Sequence, residues 1–233
     1  MGPPNALPAG RWPGSVEELV ARQRTLADCR PAPWQSPRRA LRIAACWVCF
    51  RRGGRGAGNA GEPAWVAGVL VREGQLIARH VFLGLAGAPY QPGLLALRVG
   101  PLAERAIAGL SGAPDVVLVD GTGRDHPRRA GLAVHLGAVL GLPTVGVTHR
   151  PLLAEGAWPV DAEGESSPLT FGGEPVACWL RTRPGTRPLV VHPGWRTGPD
   201  TAVAVVREAA AGHRTPEPLR AARRLARQAR SLA

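Results

Sequence analysis

The densest run of polar groups in the chain is Asp120-Gly-Thr-Gly-Arg-Asp-His126-Pro-Arg-Arg129, entered from the apolar residues VVLV. A carboxylate that ends a buried parallel strand stands at the C-terminal rim of the sheet, where open α/β sheets take their ligands. Gly121 and Gly123 let the backbone pass close to a ligand. Arg128 and Arg129 offer phosphate-directed forks, and His126 can donate to a phosphate or shuttle a proton. Asp125 adds a second carboxylate whose direction the spacing does not fix. A plainer alternative for the segment is an Asx-turn with a solvated basic rim.

A second cluster, Ala88-Pro89-Tyr90-Gln91-Pro92-Gly93, carries the only tyrosine of the chain. Two flanking prolines hold Tyr90 stiffly, which suits a stacking platform for a base. Cys46-Trp-Val-Cys49 has the spacing of a metal or redox pair. Positions three apart on a strand face opposite ways, however, so buried thiols are the better account. Near the C-terminus Arg220, Arg223, Arg224, Arg227 and Arg230 recur at helical spacing, as a phosphate-facing or simply solvated surface.

The elements that must position these groups follow from patterning. Ser15 and Glu18 read as a capping box that opens a helix over 16–29. Strand-like runs cover 41–50, 64–73 and 75–84, the last two divided by Gly74 alone, which requires an antiparallel hairpin. A helical pattern over 94–110 is interrupted at Gly100-Pro101, where a break or bend is expected. DVVLVD (115–120) and TVGVT (144–148) are buried parallel strands on either side of a helix over 131–141. Strands near 175–182 and 188–192 and helices over 199–211 and 216–230 complete the chain. Three antiparallel strands followed by βα units predict an α/β fold with a ribonuclease-H-like mixed sheet and helices on both faces. There the first strand lies beside the fourth, so mid-strand 41–50 meets the end of 115–120. Residues 1–14, rich in Pro and Gly, read as a disordered tail, and 15–233 as a single domain.

The 233 residues carry 29 cationic side chains, all of them arginine, against 17 acidic ones, for a net charge of +12. That sign favours a polyanionic partner, since guanidinium forks match phosphate oxygens and counterion release drives association. No apolar run is long enough to span a membrane, and the opening residues lack the apolar core of an export signal. A cytoplasmic, monomeric protein is expected.

Taken jointly, the motifs resemble the endonuclease V family. The matching segments are PYxPGLL (Pro89 to Leu95), DGxGxxHPRRxGxAxHLG (Asp120 to Gly137), LPxxGV (Leu142 to Val147) and PEPxR (Pro216 to Arg220). The resemblance implies a repair nuclease that recognises deaminated purine, chiefly inosine, in DNA or RNA, and cuts on its 3′ side with Mg²⁺ or Mn²⁺. It assigns Tyr90 and Pro92, with Pro89 and Gly93, to a wedge beside the modified base. It makes Asp120 a metal ligand and gives His126 a role at the phosphate.

Departures from the family pattern cut against catalysis. Trp47 stands where the family's first metal aspartate belongs, and Val99 where its glutamate belongs. His149 replaces a lysine, and Trp195 a late histidine. The resulting expectation is a binder of single-stranded or inosine-containing DNA or RNA whose cleavage is weak or lost. Two alternatives stand beside it. One is an active nuclease with a site rebuilt from Asp120, Asp125 and His126 or His149; the other is an interaction scaffold without nucleic acid.

Overall fold

The computed structural model describes residues 12–53 and 56–232. Alternation along β1 (Ile43–Phe50) sends Ile43 and Ala45 to one core and Ala44 and Cys46 to another, so the strand is buried on both faces. It forms the middle of a mixed eight-stranded sheet ordered β3-β2-β1-β4-β5-β8-β7-β6. The other strands are β2 (Pro63–Arg72), β3 (Gln75–Leu85), β4 (Val116–Asp120), β5 (Thr144–Thr148), β6 (Ser166–Phe171), β7 (Glu174–Leu180) and β8 (Leu189–Pro193). β2 and β3 turn through Glu73 and Gly74, both at positive φ, the geometry that matches strand twist in a two-residue hairpin.

β1, β4 and β5 run parallel, with Ile43 beside Val116 and Ala45 beside Leu118. Helices α2 (Leu95–Ala108) and α3 (Leu132–Leu140) cover one face, burying Leu102, Ile107 and Leu136 on Val117 and Val119. Helices α4 (Pro199–Ala210) and α5 (Glu217–Ser231) cover the other, burying Val206 and Leu219 with Val116 and Leu118. Each such aliphatic side chain contributes about 1.5–3 kcal/mol on leaving water, and β1 and β4 bury such side chains on both faces. The site borders those two strands.

α1 (Val16–Asp28) begins where the capping residues place it. Ser15 Oγ accepts from Glu18 N–H at 3.2 Å, while the Glu18 carboxylate takes the N–H of Gly14 at 2.8 Å. Of the tail expected over 1–14, residues 1–11 lie outside the described residues. Trp12 is already fastened to the body: its Nε1–H donates to Glu104 at 2.7 Å and its ring stacks on His135 at 4.5 Å. No break occurs at Gly100-Pro101: α2 runs through Pro101 as a single helix. β6 was not anticipated from the sequence. It is an edge strand, SSPLTF, in which only Leu169 is fully buried.

Candidate nucleic-acid interface

Parallel pairing of β1 with β4 sets Trp47 abreast of Asp120, each two residues beyond the Ala45–Leu118 pair and on the same face. Asp120 and Tyr90 line one cavity of about 250 Å³, with Pro92, Gly93 and Leu95 from the wedge segment, His126 from the loop after β4 and Thr148 from the end of β5. The structure thus brings together the two motifs singled out in the sequence.

The wedge segment is held by its own backbone. The carbonyl of Gly93 accepts from Gln23 Nε2 at 3.2 Å and from Arg128 Nη2 at 2.8 Å, and lies 3.1 Å from His126 Nε2. His126 Nδ1 accepts the N–H of Arg128, so Nε2 carries the ring proton and donates to Gly93. Burial pushes the His126 pKa down to about 4, keeping the ring neutral. Arg128 Nε donates to Gln23 Oε1 at 2.6 Å and closes the network. Gln23 escaped sequence reading, although a signal existed: it falls between Leu19 and Leu26 on the buried stripe of α1.

Tyr90 is 51% exposed. Its N–H donates to Ala57 O, and its ring divides the Asp120 cavity from a second, wider one of about 680 Å³ bounded by Phe50, Pro63 and Arg98. Arg98 pairs with Glu62, lies over the Phe50 ring and donates to Ala88 O, which secures the near side of the wedge. Pro89 is exposed on the approach to Tyr90.

Several expected ligand contacts are internal ties instead. Arg128 faces Gln23 and Gly93 rather than outward. Arg129, at φ 55°, donates to Phe171 O and lies over the Phe171 ring, so its fork holds the β6–β7 hairpin. A Cβ on Gly123 would meet Pro193 O at 2.1 Å, and one on Gly121 would meet the Leu132 side chain at 3.2 Å. Gly123 therefore serves close packing of chain on chain, whereas Gly121 also lines the Asp120 cavity. On α5, Arg220 and Arg224 pair with Glu217 and Arg230 donates to Phe50 O, so the helix is not a free basic track.

Asp125 is fully buried. Its Oδ2 accepts from Leu152 N–H, and its Oδ1 from Leu153 and Ala154 N–H, at 2.7–2.8 Å. Those bonds use both oxygens to fix the loop after β5, and Asp125 does not line the Asp120 cavity. The alternative in which it supplies a second metal carboxylate is corrected on that ground. The loop it fixes has a further support that the sequence did not reveal. His192 on β8 donates to Thr148 Oγ1 at 2.9 Å, while that hydroxyl donates to Arg150 O.

Solvent reaches Asp120 at the cavity mouth, but protein surrounds it on most sides. Burial pushes its pKa up to about 6, against the opposing pull of Arg223. Trp47, Asp120, His149 and Arg223 wall a narrow space of about 10 Å³, room for no more than a single water. Val99 is 7% exposed, in the core beneath α2 with Cys46 and Leu19. Trp195 packs toward Leu26 and Val134. Among the described residues no three His, Cys, Asp or Glu side chains gather as a metal site. Magnesium requires near-octahedral oxygen coordination with its waters. One carboxylate with an indole and a guanidinium beside it is not a donor set that fits that ion, nor Mn²⁺ in its place. The cysteines offer no substitute: Cys46 points into the α2–α3 core and Cys49 toward Ala226, and burial pushes the Cys46 thiol up to about 12.

A mixed sheet whose parallel β1–β4 pair carries the site, with helices on both faces, defines a ribonuclease-H-like fold. The endonuclease V family model matches residues 43–224. Endonuclease V of Xanthomonas campestris pv. campestris (strain B100) is 36% identical over 219 residues, covering 92% of this chain and 89% of that protein. Endonuclease V of Azotobacter vinelandii is 44% identical over 138 residues, 59% of this chain and 62% of that one. The crystal structure of endonuclease V from Streptomyces avermitilis superposes with a TM-score of 0.83 at 32% identity, covering 95% of each chain. At 20% identity and a TM-score of 0.76, the fold also matches endonuclease V of Ciona intestinalis, over 93% of this chain and 98% of that one. That structure was solved with a 24mer DNA containing an inosine followed by a ribo-adenosine. The chain belongs to the endonuclease V family.

Among the described residues no helix is long and apolar enough to cross a membrane.

Proposed function

We propose that this chain is an endonuclease V-family protein that binds deaminated purine, inosine in the first instance, in single-stranded DNA or RNA, with phosphodiester cleavage weak or lost. Binding is supported by the cavity that Tyr90 and Asp120 share. A half-exposed aromatic ring on a braced loop can stack beside a displaced base, and such stacking is worth about 1–3 kcal/mol. Pro92, Gly93 and Leu95 then border the base. Neutral His126 holds the wedge in place through Gly93 and keeps its proton.

Loss of cleavage rests on one observation: among the described residues Asp120 is the only carboxylate lining its cavity, with Trp47 beside it and Val99 sunk in the core. Metal-assisted hydrolysis needs an ion to activate water and to carry charge developing on phosphate, and this donor set does not hold one. The proposal places a monomer in the cytoplasm. Its test is incubation of purified protein with inosine-containing single strands and Mg²⁺ or Mn²⁺. Retarded but uncut strands are the expected result; robust cutting that disappears in Asp120→Ala would overturn the loss of catalysis.

A further inference from the structure

A guanidinium, rather than a second carboxylate, lines the narrow space beside Asp120. The Arg223 guanidinium lies 5.6 Å from the centroid of the Trp47 ring, and both side chains wall the narrow space beside Asp120 and His149. Among the described residues Arg223 makes no ion pair or hydrogen bond, whereas its helix neighbours Arg220 and Arg224 share Glu217. Arg214 and Arg187 add to the positive field: together with Arg223 they oppose protonation of His149. Of the three, Arg223 is the one that walls the space beside Asp120. An aromatic face under an arginine keeps the planar fork oriented while leaving its N–H donors free, and such forks match phosphate oxygens.

We propose that Arg223, perched on Trp47 beside Asp120, is a metal-independent anchor for a nucleic-acid phosphate. The indole that displaces a metal carboxylate thus also seats the cation that stands in for the metal's charge. The anchor rests on the nucleic-acid reading given above, and the experiment separates the two.

Fluorescence anisotropy with a labelled inosine-containing single strand, titrated in EDTA and in Mg²⁺ over a range of salt, reads the anchor directly. Wild-type affinity should be the same within about twofold with and without Mg²⁺, because no ion contributes. Arg223→Gln should weaken binding about tenfold, the loss of one charge-assisted contact, and reduce the salt slope by about 0.7. Arg223→Lys should keep the slope and recover part of the affinity, since the charge remains but the fork does not. Matching circular dichroism spectra and melting temperatures for the two variants show that binding, not folding, has changed. Unchanged affinity and slope in Arg223→Gln, or wild-type binding that vanishes in EDTA, overturns the anchor. If Tyr90→Ala weakens binding and Arg223→Gln does not, the anchor alone fails. If wild type binds no strand even at low salt, the function proposed above fails and the anchor with it.

Discussion

Replacing Asp125 separates a structural carboxylate from a chemical one. Its oxygens accept three backbone N–H groups from Leu152, Leu153 and Ala154 and see no solvent. Asp125→Ala leaves three N–H donors without their partner, that of Ala154 buried and those of Leu152 and Leu153 part-buried, each costing up to about 1–3 kcal/mol before the loop relaxes. Relaxation toward water recovers part of that, so a net loss of about 3–5 kcal/mol is expected. Asp125→Asn keeps volume and one accepting oxygen. With its oxygen toward Leu153 and Ala154, its amide faces the Leu152 N–H, and the loss should be about 1–3 kcal/mol. Urea unfolding followed by tryptophan fluorescence measures both, and melting temperatures should fall by about 2–4 °C per kcal/mol. Binding of inosine strands by Asp125→Asn, assayed well below its melting temperature, should be close to wild type. An Asp125→Ala protein as stable as wild type would refute the buried, three-acceptor role.

Tyr90→Ala should weaken binding of an inosine-containing strand by roughly 1–3 kcal/mol, read by anisotropy, with little change in stability because the ring is half-exposed. Gln23→Leu removes a donor to Gly93 and the acceptor for Arg128 Nε; a loss of about 1–3 kcal/mol in urea unfolding, with faster strand dissociation, is expected. Acid should destabilise the fold between about pH 6.5 and pH 4. Burial lowers the pKa of His126, His135 and His192 to about 4 each, so across that window the unfolded chain binds protons that the native one does not. Asp120, raised to about 6, acts oppositely but is one group against three. The check is the urea midpoint at pH 7 and at pH 4.5, which should fall; a midpoint that rises on acidification contradicts the neutral histidines.

Periodicity reports burial, and the elements buried on both faces or one were the legible ones. β1, β4, β5, α4 and α5 follow from apolar pattern, the β2–β3 turn from a single glycine, and the start of α1 from Ser15 and Glu18. β6 was not legible because an edge strand needs little apolar alternation, and Pro168 argues against a strand locally. At the site, the middle of 41–50 was expected to meet the end of 115–120, and strand order does set Trp47 beside Asp120; that Tyr90 shares the cavity with Asp120 was not read from the strands. The directions of Arg128, Arg129 and Asp125 were not legible, because a polar residue type does not say whether its partner is a ligand or the chain's own backbone. Gln23 shows the same limit from the other side: a polar residue on an apolar stripe marks a buried network without naming its partner 70 residues away.

Among the described residues Asp120 has no companion carboxylate, and manganese binding tests that central claim most directly. Mn²⁺ titrated into the protein and followed by electron paramagnetic resonance should remain free, with wild type and Asp120→Ala indistinguishable. A stoichiometric bound ion in wild type that is lost in Asp120→Ala contradicts the account.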